Sequence, residues 1–171
     1  MFSYQLSHFR DLLSMIKKLL FVEDNDSKFD EVNEVLTELL HGDWTVTRAN
    51  SMVAAEKKIL SQAWHFYLLD VSIDVTAGKA AFGTQSQATL GGLRLASTIA
   101  VEGLERPTVF ITGFDAFSNS PPGRKVNTVM DLNSVDQSAR ETLGDYYLGA
   151  VRYGGPGWRE ALKKTLKGAG F

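Results

Sequence analysis

The chain has 171 residues, 44% apolar and 22% charged, with a formal net charge of −2 and a pI of about 5.9. This is the usage of one ordinary globular domain, able to bury roughly 70% of its unfolded surface. A near-neutral balance gives no broad basic surface, so nucleic acid is not the expected partner. No cysteine is present, which excludes disulfides, thiolate metal sites and a cysteine nucleophile. No apolar run approaches the ~18 residues of a membrane span. Residues 1–14 mix polar and charged side chains into their apolar ones, unlike a signal peptide. The cytoplasm is therefore the expected compartment.

In chain order, Leu6, Phe9, Leu12, Leu13 and Ile16 fall at steps of three and four. They predict an extra N-terminal helix over residues 1–16, ahead of a main domain over 17–171. Such a helix either docks on its own domain or offers a face to a partner or a second copy. Lys17–Val22 is a short apolar strand leading into Glu23-Asp24-Asn25-Asp26. Asp26 or Ser27 is a candidate cap for the next helix, whose stripe runs from Phe29 to Leu40, with Gly42 to end it. Trp44–Arg48 alternates as a second strand, and Ser51 caps a helix through Leu60. His65–Leu69 is a buried-type strand that delivers Asp70 at its C-terminal end.

Residues 71–92 hold four glycines and read as a long loop. Leu93–Val101 is helical, and Thr108–Thr112 is a fourth strand. Residues 113–133 read as a second long loop with a Pro121-Pro122-Gly123 turn signal. Ser134 and Gln137 have capping-box spacing for a helix to Leu143, stopped by Gly144. Tyr146–Val151 is a fifth strand, and Trp158–Leu166 a last helix whose C-terminal lysines suit its dipole. Strands alternating with helices predict a doubly wound parallel sheet. The expected fold is a flavodoxin-like (βα)5 sheet of order 2-1-3-4-5, with ligands outside the carboxyl ends of the strands.

In that order the strands ending in Glu23 and Asp24, in Asp70 and in Thr112 are neighbours. Three carboxylates brought together repel and raise one another's pKa unless a cation sits among them. Oxygen ligands of this kind suit a hard ion, Mg2+ above all. A carboxylate there can act as a nucleophile toward phosphorus, and a nearby hydroxyl can donate to a phosphoryl oxygen.

The segments Leu19–Asn25 (LLFVEDN), Tyr67–Ile73 (YLLDVSI), Pro107–Gly113 (PTVFITG) and Asp145–Ala150 (DYYLGA) resemble, in order, the motifs of response-regulator receiver domains of two-component signalling. The resemblance spans residues 17–167. It implies that Glu23 and Asp24 are the acidic Mg2+ pair, that Asp70 is the phosphoacceptor and that the Ser72 backbone carbonyl completes the metal ligands. It further implies Thr112 as the switch hydroxyl and Tyr147 as the aromatic switch. A histidine kinase or phosphotransfer protein is the implied partner.

The sequence departs from that family in two places. Receivers carry a lysine and a proline after the fifth strand; Ala150 and Val151 stand there. Phosphoryl transfer relies on electrostatic stabilisation of the moving group, so a cation is missing. Arg152, two residues on, is a candidate substitute, as are Lys79 and Lys125 in the long loops. Those loops, over 74–91 and 114–133, are longer than the family's and are expected to be either functional or disordered.

Three readings follow. The first in rank is a stand-alone pseudo-receiver that signals by protein contact, with Asp70 phosphorylation impaired or lost and no enzymatic activity. The second is a Mg2+-dependent phosphoacceptor. The third takes Asp24-Asn25-Asp26 as the opening D-x-D of haloacid-dehalogenase-type phosphatases. It ranks last, because Asp70 precedes Thr112 and no late acidic pair follows an apolar strand.

Overall fold

A computed structural model describes residues 16–40, 42–73, 90–113, 116–118 and 129–169. Residues 1–15 of the expected N-terminal helix, Lys79, Lys125 and most of both long loops lie outside them. The elements are β1 (Lys17–Val22), α1 (Asp26–Leu39), β2 (Trp44–Ala49), α2 (Met52–Ser61), β3 (Phe66–Asp70), α3 (Gly91–Val101) and β4 (Thr108–Thr112). They continue with β5 (Ala116–Ser118), β6 (Val129–Asp131), α4 (Leu132–Leu143), β7 (Tyr147–Arg152) and α5 (Trp158–Gly168). Five strands form one parallel sheet in the order β2-β1-β3-β4-β7. This is the flavodoxin-like order expected from the sequence. Among the described residues no helix is long and apolar enough to cross a membrane.

β3, β4 and most of β1 are buried on both faces, which is why they read as continuous apolar runs rather than alternating ones; β2 and β7, at the sheet's edges, are mostly half-buried. On one face Leu19, Phe21, Leu68, Val109, Ile111 and Val151 pack against Val32, Val35 and Leu36 of α1 and Leu162 and Leu166 of α5. On the other, Leu20, Val22, Leu69, Phe110 and Tyr147 meet α2, α3 and α4 through Ile59, Leu95, Ile99, Val135 and Leu143. Each fully buried side chain of this size contributes about 1.5–3 kcal/mol.

Several boundaries differ from the sequence reading. The cap of α1 is Asn25, not Asp26 or Ser27; its side chain accepts from the Lys28 amide. The cap of α4 is Asp131, three residues before Ser134, and it accepts from the Ser134 amide at 2.8 Å. Asx side chains cap well because they reach the free amides of the first turn. The helix from Asn25 ends at Leu39, before Gly42. The stretch read as a second long loop contains the antiparallel pair β5 and β6, too short to show a strand period.

Two close approaches fix the sheet's carboxyl edge. A Cβ on Gly91 would lie 2.3 Å from the Ile73 carbonyl oxygen, and one on Gly92 2.6 Å from that of Asp70. The N-terminus of α3 therefore presses directly onto the backbone at the end of β3, and the Gly92 amide donates to the Val71 carbonyl at 3.1 Å. Gly92→Ala must push backbone apart and is expected to cost about 1–3 kcal/mol, the range of overpacked cores. Gly168→Ala, with nothing within 4 Å, serves as the control and leaves stability unchanged or slightly raised. Urea denaturation of both variants checks the contrast; equal midpoints would refute the close approach.

Candidate functional site

The pocket is built from the ends of β1 and β3 and the first turn of α1. The Glu23 amide donates to the Ala49 carbonyl at 3.0 Å, extending the β1–β2 pairing by one residue. Arg48 of β2 then holds the turn. Its Nε donates to the Glu23 carbonyl at 2.9 Å, its Nη2 to the Asp24 carbonyl at 3.1 Å, and its Nη1 pairs with Asp26 Oδ1 at 2.7 Å. The guanidinium also lies 4.6 Å from the centre of the Phe29 ring. Asp26 thus faces outward to Arg48 and is exposed, away from the pocket. The Asn25 amide donates to Glu23 Oε1 at 3.0 Å, which ties that side chain to the turn leading into α1.

With Asn25 as cap, Lys28 is the third residue of α1. Its Nζ donates to Asp70 Oδ1 at 2.7 Å and lies 2.7 Å from Glu23 Oε2. All three residues are buried, Lys28 at 6%, Asp70 at 2% and Glu23 at 1% exposure. Glu23 Oε2 is in ionic contact with the ammonium but off the line of a hydrogen bond, and makes no other. The Ser72 hydroxyl bridges Asp70, 3.0 Å from Oδ1 and 2.9 Å from Oδ2. The Tyr153 ring completes the enclosure, its centre 5.8 Å from the ammonium, within cation–π range.

The structure brings Glu23, Asp24 and Asp70 together: one carboxylate oxygen of each lies within 4.8 Å of the others. Such a set suits a hard divalent cation. Here, however, the Lys28 ammonium already contacts two of the three, and burial makes charge crowding costly. As the residues stand, Mg2+ does not fit beside it. Burial pushes the Glu23 carboxyl up to about 7; the Asp70 charge adds to this, and Lys28 only partly offsets it. One ammonium cannot fully neutralise two buried carboxylates.

The remaining candidates stand around this centre. Register places Asp70 opposite Ile111, one residue before Thr112. By strand alternation, Asp70 and Glu23 face α1 and α5, while Thr112 belongs to the other face. Thr112 is fully buried at the end of β4. A bulge at Leu148 shifts β7, so that Gly149, at φ 130°, pairs with Val109, Ala150 with Phe110 and Arg152 with Thr112. Arg152, not Ala150, is therefore the residue across from the strand-end hydroxyl, and it is exposed. Tyr147 points inward, 3% exposed, its ring 5.4 Å from Phe110 and its hydroxyl donating to Asp136 Oδ1 at 2.9 Å. Burial first, then this carboxylate, raises the Tyr147 pKa far above the usual phenol range.

Lys28 and Tyr153 are the site residues that sequence reasoning missed. Lys28 left one signal: a cation in the first turn of a helix opposes the dipole, where an acid is preferred.

No family model matches the chain, and no curated protein matches it by sequence. Solved structures do match, and many are receiver domains. The N-terminal domain of a response regulator/sensory box/GGDEF three-domain protein from Carboxydothermus hydrogenoformans is 20% identical, with a TM-score of 0.55 over 90% of this chain and 93% of that one. A CheY-like receiver domain protein from Methanospirillum hungatei is 14% identical, with a TM-score of 0.58 over 90% and 93%. Another CheY-like receiver, from Methylobacillus flagellatus, is 15% identical, with a TM-score of 0.57 over 90% and 98%. The chain has the receiver fold.

The raised Glu23 pKa has a consequence for stability. Between the ordinary glutamate value of 4.5 and about 7 the folded state holds a proton that the unfolded state has released. Stability therefore falls as pH rises through this window, by roughly 3 kcal/mol in all. In Glu23→Gln this descent is expected to flatten. Urea melts from pH 4.5 to 7.5 read the slope directly; an unchanged slope in the variant would assign it elsewhere.

Proposed function

We propose that this chain is a receiver-type signalling module that acts through protein–protein contacts, with Asp70 withheld from ordinary phosphorylation. The receiver fold supports a signalling role. The observation that carries the finer reading is the state of Asp70. It is 2% exposed, and its oxygens are engaged by Lys28 and Ser72. A carboxylate attacks phosphorus through a lone pair presented to the donor. Here Oδ1 accepts from an internal cation, and an internal hydroxyl lies within hydrogen-bond distance of both oxygens, so the carboxylate is held inward by its own chain. The absence of lysine at position 150 acts in the same direction, since the moving phosphoryl group needs cationic stabilisation.

The implied partners are other signalling proteins, bound by the faces of the domain rather than recruited by a phosphoryl group. Tyr147 is then a fixed element of the α4–β7 face, with its inward position set by Asp136 and the Arg140 guanidinium, 5.3 Å from its ring centre.

The test is intact-mass measurement after incubation with Mg2+ and acetyl phosphate, beside Asp70→Asn. No adduct is expected in either protein. A single phosphoryl adduct in wild type, absent from Asp70→Asn, would overturn the reading. It would make Lys28, already at hydrogen-bond distance from Asp70, the cation that substitutes for the missing lysine.

A further inference from the structure

We propose that the Lys28 ammonium takes the place of the divalent ion in this acidic pocket, so that the site carries a tethered cation and takes up no Mg2+. The inference rests on reading the pocket as the receiver-type one, and concerns what occupies it.

Four observations converge on it. First, Nζ is 2.7 Å from an oxygen of both Glu23 and Asp70, two of the three carboxylates that form the cluster. Second, the side chain is buried, at 7% exposure, so the contact is not a surface pairing that solvent would screen. Third, the backbone that carries it is pinned: Asn25 caps the Lys28 amide at 2.9 Å, and Arg48 ties down the carbonyls of Glu23 and Asp24. Fourth, Tyr153 places its ring over the ammonium, which favours a cation held there over one swung out to water. A lysine at the start of a helix is placed against the dipole. Its retention inside the pocket is accounted for by the carboxylates it meets.

The chemical difference is one of control. A divalent ion is exchangeable, and its occupancy follows its concentration. An ammonium on the chain is always present and carries one charge instead of two. The arrangement at the carboxyl edge of β1 and β3 is therefore independent of divalent-ion supply, and a second cation entering the pocket meets the repulsion of the first.

Mn2+ is the probe, read by loss of the free-ion electron paramagnetic resonance signal, with thermal melts in Mg2+ and in EDTA as a second readout. Wild type is expected to leave the Mn2+ signal unchanged and to melt at the same temperature in both solutions. Lys28→Met removes the tethered charge. It is expected to melt lower in EDTA, to regain stability in Mg2+, and to bind Mn2+ at least ~10-fold more tightly than wild type. Lys28→Gln keeps a hydrogen-bond donor without the charge, and carries the binding test should Lys28→Met not fold. Adding Asp70→Asn to either variant should abolish uptake.

Asp70-dependent Mn2+ uptake by wild type would overturn the proposal, as would a folded Lys28→Gln that takes up none. The two readings fail separately. Phosphorylation of wild type at Asp70 in EDTA would overturn only the reading of the preceding subsection. Mn2+ uptake by wild type without phosphorylation would overturn only this one.

Discussion

A single buried ammonium holds the carboxyl edge of this domain together. Lys28 links the end of β1, through Glu23, to the end of β3, through Asp70, from the first turn of the helix between them. Breaking a buried ion pair by removing one partner costs about 3–5 kcal/mol, yet a buried pair is often no better than apolar residues of the same volume. Net stability is therefore a poor account of why a lysine stands there. Its effect is better sought in the pocket's charge, since it decides what else the three carboxylates can hold.

The fold makes this arrangement available because parallel strands joined by helices all present their carboxyl ends on one edge. β1 and β3 are direct neighbours, with Val22 paired to Leu69, so the next residues, Glu23 and Asp70, emerge side by side on the same face. Two glycines then let the start of α3 sit against the Asp70 backbone. Side chains at either place would force the edge open. The acidic cluster is thus a product of sheet order, and its tightness a product of the packing behind it.

The other half of the edge is organised differently. The bulge in β7 moves Arg152 across from Thr112 and leaves Ala150 two rungs lower. Arg152 and Thr112 belong to the strand face away from Asp70. The aromatic at the start of β7, Tyr147, is packed on Phe110 and tied to α4 through Asp136. The charge at Asp70 and the aromatic at Tyr147 therefore sit on opposite sides of the sheet's mid-plane. Any coupling between them has to pass through the ends of β3 and β4 rather than by direct contact.

The order of elements and the sheet topology were legible in the sequence. The apolar runs at Leu19–Val22, Tyr67–Leu69 and Thr108–Thr112 are too short for helices and end in polar groups, and right-handed crossovers leave few ways to arrange them. The grouping of Glu23, Asp24 and Asp70 followed from that topology. The caps at Asn25 and Asp131 were only partly legible, since several adjacent polar residues compete for a cap and backbone geometry selects one. Lys28 was not legible as part of the site. In the sequence it is one charge on a helix, four residues from Asp24 and 42 from Asp70, and a lysine is ordinarily on the solvated face. Only the tertiary structure, by swinging the first turn of α1 over the neighbouring strand end, could show that this charge points inward. The bulge at Leu148 was hidden for the same reason. Register depends on a partner strand, and a strand's own sequence does not record which residue its neighbour will meet.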